Sequence, residues 1–162
     1  MRALTSFAPS KAMKLQLLLS FLLGPVVTSG LLSPARADCT ISVTSLSFGS
    51  YDVFRTMDDL ADGRVDYQCT NLPSGAIPVL TLSTGSSNDF QTRTMKNSSE
   101  SLKYNIYTDA SRTEIWGDGG GQTAVITLEN LSGSKTFFGT IPQRQNVKVG
   151  SYEDMLTVTL SY

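Results

Sequence analysis

The chain has 162 residues, 13 Lys/Arg, 14 Asp/Glu and no histidine, for a formal charge of −1 at pH 7. Without an imidazole, Ser–His–Asp and Cys–His catalysis are excluded, and the even charge balance speaks against a nucleic-acid surface. The length fits one domain once a targeting segment is set aside.

Residues 1–37 read as that segment. Arg2, Lys11 and Lys14 precede an apolar run from Leu15 to Leu32, broken by Gly24-Pro25, and Ala35-Arg36-Ala37 places small residues where a signal peptidase cuts. The Gly-Pro pair and the cleavage-site pattern argue against a spanning anchor. Residues 1–37 hold four Lys/Arg and no acid, so cleavage after Ala37 leaves residues 38–162 with nine bases against 14 acids, a charge of −5. Export to an oxidising compartment makes a Cys39–Cys69 disulfide the first reading of the two cysteines.

Residues 40–48 alternate Ile41 and Val43 and, after a slip, Leu46 and Phe48, which predicts a first strand. Residues 52–62 read as a loop. Residues 63–69 read as a second strand with Val65, Tyr67 and Cys69 on one face. Pro73, Gly75 and Pro78 mark a turn before a third strand at 79–83. Residues 93–95 suggest a short strand, and 102–108 a clear one with Leu102, Tyr104 and Ile106 on one side. Trp116 and the flexible run Gly117-Asp118-Gly119-Gly120-Gly121 precede a strand at 123–128. After a turn at 130–134, residues 135–141 form a strand whose Gly139 signals a bulge or a close backbone approach.

The last stretch, Tyr152 to Tyr162, alternates Leu156, Val158, Leu160 and Tyr162 with Thr157, Thr159 and Ser161. Nothing after it can pair with it, so it must pair upstream or with another molecule. Seven or eight short strands and no helical period after residue 37 indicate an all-β, immunoglobulin-like antiparallel β-sandwich. The buried tryptophan between two sandwich cysteines that marks antibody domains is absent.

The acid pairs Asp58/Asp59 and Glu153/Asp154 read as solvated loop or edge charges, since strand neighbours point to opposite faces. The glycine-rich run lacks the GK[ST] ending of a phosphate loop, and Asp109 and Asp118 lack the spacing of a calcium loop. Tyr51, Phe54, Tyr67, Tyr104, Tyr107, Phe137, Phe138, Tyr152 and Tyr162 read as core and cross-strand pairs rather than a sugar platform. Trp116 stays open between the two. The sequence points to no enzyme, cofactor, metal site or small-molecule substrate.

An ordered set of short pieces runs from Cys39 to the final strand. It comprises Leu46-Ser47-Phe48-Gly49-Ser50-Tyr51, Cys69, Arg93-Thr94-Met95, residues 102–110, Arg112-Thr113, Trp116-Gly117-Asp118-Gly119, residues 138–142, Gln145, and Gly150-Ser151-Tyr152-Glu153-Asp154. By these pieces residues 38–162 resemble the spore coat protein U domain, the domain of archaic (Csu-type) chaperone–usher pilins. The resemblance implies a sandwich lacking its last strand. A periplasmic chaperone fills the groove first, and the N-terminal extension of another pilin subunit replaces it during assembly at an outer-membrane usher. It also implies passage through the periplasm to a surface pilus serving adhesion and biofilm formation.

Leu156, Val158 and Leu160 would then line the groove, with Ile41 and Val43 on the opposite wall. The sequence departs from a major pilin in one respect. A donor needs about ten alternating residues before its first cysteine, whereas cleavage after Ala37 leaves only Asp38, and residues 31–38 alternate poorly around Pro34. The expectation is an acceptor that does not donate, hence a minor or tip-proximal subunit. The other class of function is a self-sufficient secreted coat or surface protein with a sandwich closed by its own residues. An intact mass of the exported protein should place its N-terminus at Asp38. A start many residues upstream would contradict the non-donor expectation.

Overall fold

The computed structural model describes residues 36–162, so the expected signal segment falls outside the described residues except for Arg36 and Ala37. Eight strands form two sheets: β1 (Asp38–Thr44), β2 (Asp59–Thr70), β3 (Val79–Leu82), β4 (Arg93–Asn97), β5 (Glu100–Tyr107), β6 (Ile126–Thr127), β7 (Ser132–Ile141) and β8 (Val158–Ser161). The larger sheet runs β1-β2-β7-β5-β4 and the smaller β6-β3-β8, every strand pair antiparallel. The architecture is the immunoglobulin-like sandwich that the alternation predicts.

The inward faces match the period-2 reading. Val65, Tyr67 and Cys69 of β2 and Leu102, Tyr104 and Ile106 of β5 are all buried, as are Leu80, Leu82 and Val158 of the smaller sheet and Leu156 just ahead of β8. Cys39 and Cys69 face each other in register and are joined by a disulfide. Gly139 is a close approach: a Cβ there would lie 2.5 Å from Leu46 and 2.7 Å from Phe48, side chains that lie over the strand. Gly63 serves its register partner in the same way, because the Phe137 ring lies where a side chain would begin.

Several boundaries differ from the sequence reading for one reason, partners distant in the chain. Residues 59–62, read as loop, are strand because Asp59–Asp62 pair with Phe138–Ile141. Residues 132–134, read as turn, pair with Asp66–Gln68. The first strand stops at Thr44, yet Leu46 is still buried. The strand at 123–128 shrinks to two residues, with Ala124 in an isolated bridge to Trp116. Of the final stretch, only Val158–Ser161 is strand, and Glu153 bridges Lys96 of the other sheet.

That bridge closes one side of the sandwich, and Arg93 reinforces it. Arg93 is fully buried, and its Nε and one terminal nitrogen donate to the Ser83 carbonyl at 3.1 and 2.8 Å. The same terminal nitrogen donates to the Trp116 carbonyl at 2.7 Å, and the other to Asn105 Oδ1 at 2.7 Å. Asn105 Nδ2 in turn donates to the Phe90 and Gln91 carbonyls, and the guanidinium lies 5.3 Å from the Phe90 ring. Burial lowers the Arg93 pKa to about 10, so it remains protonated at neutral pH. Trp116 is core: it is 0% exposed, donates from Nε1 to the Leu80 carbonyl at 3.0 Å and packs on Phe137.

Arg93→Leu should lower stability by about 3 kcal/mol, because it strands the Ser83 and Trp116 carbonyls and takes one of two donors from Asn105 Oδ1. Arg93→Lys should recover little, since a point-charge ammonium cannot reach the same forked set of acceptors. The midpoint of denaturant unfolding of the oxidised protein checks both, and an unchanged midpoint in either contradicts this account.

Candidate functional site: an open sheet edge beside an apolar cleft

The outer edge of β8 lacks any such closure among the described residues. β8 ends the smaller sheet and β1 ends the larger one, and no strand lies beyond either. Thr157 exchanges hydrogen bonds with Ser83, its carbonyl accepting from Ser83 N and its N–H donating to Ser83 Oγ. Strand alternation therefore turns Thr159 and Ser161 toward β3 as well, and points the N–H and C=O groups of Val158 and Leu160 to the open side.

The chain on either side of this opening runs in opposite directions. At one end Tyr162 Oη donates to the Ala37 carbonyl at 3.2 Å, beside the start of β1. At the other end, the segment 45–54 that follows β1 faces the segment 147–154 that leads toward β8, across a cleft of about 850 Å3. Leu46, Leu102 and Ile141 form its buried apolar floor, and Phe48, Met95 and Tyr152 are half-buried around it. Tyr51 closes the far end, donating to the Pro142 carbonyl at 2.9 Å and accepting from Gln145 N at 2.8 Å.

Two rim residues stand out. Phe54 is 86% exposed and Val149 fully exposed, one on each wall. Large apolar side chains held out at the lip of an apolar cleft mark a surface that water covers poorly. The free charges at the mouth are acidic, Asp52 and Glu153, whereas Lys148 is paired with Glu100 at 2.7 Å.

Of the residues picked from sequence, Leu156 and Val158 are buried, while Leu160, Ile41 and Val43 are half-buried against the same core. None of the five lines the cleft itself. The cleft is built chiefly from Leu46, Phe48, Tyr51, Phe54, Val147 and Tyr152, all in irregular segments, although the sequence reading puts Leu46 and Phe48 in the first strand and Tyr152 in the last. The slip in the alternation at Leu46 is the signal that the strand has ended, and Tyr51, Phe54 and Val147 lie outside any predicted strand.

The aromatic and acidic readings need correction at four positions. Phe54 and Tyr162 are largely exposed rather than core, because neither has a strand opposite to cover it. Asp59 and Asp154 are buried rather than solvated. Asp59 forms an ion pair with Arg55, and Asp154 accepts from Tyr104 Oη at 2.6 Å. Each acid pair thus sends one carboxylate inward and leaves the other out. Among the described residues no group of acids or cysteines converges as a metal cage.

Residues 27–159 match the Spore Coat Protein U domain family. Protein U of Myxococcus xanthus is 30% identical over 128 residues, covering 73% of this chain and 72% of that protein. Among solved structures, the chain is similar to the chaperone–tip adhesion subunit pre-assembly complex from the archaic chaperone-usher Csu pili of Acinetobacter baumannii. The TM-score is 0.56 at 20% identity, covering 78% of this chain and 40% of the matched one. The chain thus spans less than half the length of that structural relative, and the likeness is one of fold.

Val158→Asp tests the inward assignment at the open edge. Val158 is 4% exposed in the apolar core, so a carboxylate there should abolish soluble folded protein. Recovery of a normal yield with an unaltered unfolding transition would contradict it.

Proposed function

The chain belongs to the Spore Coat Protein U domain family, and from that premise we propose that it is an exported structural subunit of a chaperone–usher surface fibre. One observation carries the reading: among the described residues no strand pairs with the outer edge of β8, and the segment leading into β8 lines an apolar cleft with exposed Phe54 and Val149. An extended segment from another chain would pair its backbone with Val158 and Leu160. It would also place alternate side chains over Leu46, Leu102 and Ile141. The role is structural, not catalytic.

Residues 1–37 act as a signal peptide, and the protein passes through the periplasm to the cell surface. A periplasmic chaperone supplies the strand first, and a neighbouring subunit replaces it at the outer-membrane usher. The solved complex to which the chain is similar in fold is itself a chaperone bound to a tip adhesion subunit. A minor, tip-proximal acceptor serving adhesion and biofilm formation fits the short N-terminal arm. β1 begins at Asp38, which is already paired with Thr70, so cleavage after Ala37 leaves nothing ahead of it to donate.

A second reading, a self-sufficient coat-type protein, draws support from the family's description and from the identity with Protein U of Myxococcus xanthus. The two readings separate in thermal unfolding with and without a peptide of about ten residues that alternates valine and threonine between terminal lysines. An acceptor should gain about 10 °C or more in Tm at saturating peptide, and should aggregate readily without it. A sharp, high transition that the peptide does not move would instead establish the self-sufficient protein.

A further inference from the structure

The two walls of the cleft are not held alike. The wall 45–54 is tied at its far end through Tyr51, whereas the wall 147–154 is pinned just before it becomes β8. Glu153 exchanges two backbone bonds with Lys96, at 2.8 and 3.1 Å. The next residue, Asp154, lines the cleft but turns its carboxylate inward. Its Oδ1 accepts from Ser86 N at 3.0 Å and from Met155 N at 2.9 Å, and its Oδ2 accepts from Tyr104 Oη at 2.6 Å.

Those donors come from separate segments: the turn after β3, the β8 lead-in itself, and β5 of the other sheet. Burial and the carboxylate both push the Tyr104 phenol well above its ordinary pKa, so it remains a donor throughout the physiological range. The turn is shaped around the carboxylate. Gly85 has φ +66, and a Cβ there would run into Asp154 Oδ2 and lie 2.7 Å from Leu156. Two residues beyond Asp154, Leu156 enters the core, and from Val158 the chain is in register with β3.

We propose that Asp154 is the positioning residue of strand capture: it fixes the lead-in to β8, and hence the register of its open edge, before any strand arrives. The inference rests on the reading of the cleft as a strand acceptor. A hydrogen-bonding edge already in its final geometry loses less conformational freedom when a strand docks, and that saving appears in the association rate. A carboxylate suits the task because it accepts several bonds at once, and N–H and O–H donors from both sheets converge on it.

The test uses residues 38–162 with the disulfide intact and the valine–threonine peptide above carrying a fluorophore. In the peptide-free protein, the amides of Glu153, Met155 and Thr157 should exchange with solvent far more slowly than those of residues 45–54. Exchange as fast as in that opposite wall overturns the proposal without any substitution. Tyr104→Phe keeps the ring and removes one donor to Asp154. It should slow peptide association about tenfold while leaving dissociation nearly unchanged.

If Tyr104→Phe associates at the wild-type rate, or only dissociates faster, Asp154 does not position the edge and this inference falls alone. A wild-type chain that never takes the peptide overturns the strand-acceptor reading, and this inference with it. Asp154→Asn, which retains size but offers an amide to the same donors, should reproduce the slow association wherever it yields folded protein.

Discussion

A backbone amide or carbonyl withdrawn from water without a partner is costly, and around this sandwich the requirement is met very unevenly. Away from the outer edge of β8 the two sheets are joined by hydrogen bonds at three places: the Arg93 fork, the Lys96–Glu153 bridge and the Asp154 carboxylate. At that edge the outward groups of Val158 and Leu160 meet no strand among the described residues. The joins allow the open edge to exist. A β8 held only by its four-residue pairing with β3 could slide or collapse into the cleft. A β8 whose lead-in is anchored in both sheets stays in one register.

Much of this could be read from the sequence, for a physical reason that also marks where the reading stops. Alternation reports a strand with one wet and one dry face, and it located the buried faces of β2 and β5 and the apolar half of β8. It is silent about strands whose partners lie far along the chain. Asp59–Asp62 show no alternation of apolar residues, yet β7 holds them as strand through backbone bonds that any side chain permits. Gly139 was legible because a glycine inside an apolar strand usually means close approach, and Leu46 and Phe48 occupy the space.

The cleft was less legible than the edge beside it. Leu156, Val158 and Leu160 announce themselves by period, but they form the strand to be paired and not the cavity to be filled. The cavity comes from Leu46, Phe48, Tyr51 and Phe54 on one irregular segment and Val147, Val149 and Tyr152 on another. Irregular backbone has no period, so alternation extended the flanking strands over Leu46, Phe48 and Tyr152 and could not show that they line a cavity. The buried charges were hidden for a different reason. Arg93 and Asp154 look like ordinary surface residues until their partners are brought from three other segments: residues 83–86 after β3, Tyr104 and Asn105 of β5, and Trp116.

The position of the disulfide follows from the same asymmetry. β1 borders the opening, has β2 as its single neighbour, and buries only Cys39 fully. The covalent link acts where packing is thinnest. Closing a loop across 30 residues is worth about 3–4 kcal/mol in the chain-entropy model. It tethers β1 to β2 whether or not anything occupies the cleft. Apolar packing in the centre, buried polar anchors at Arg93 and Asp154 and a covalent tether on β1 thus divide the stabilisation by location.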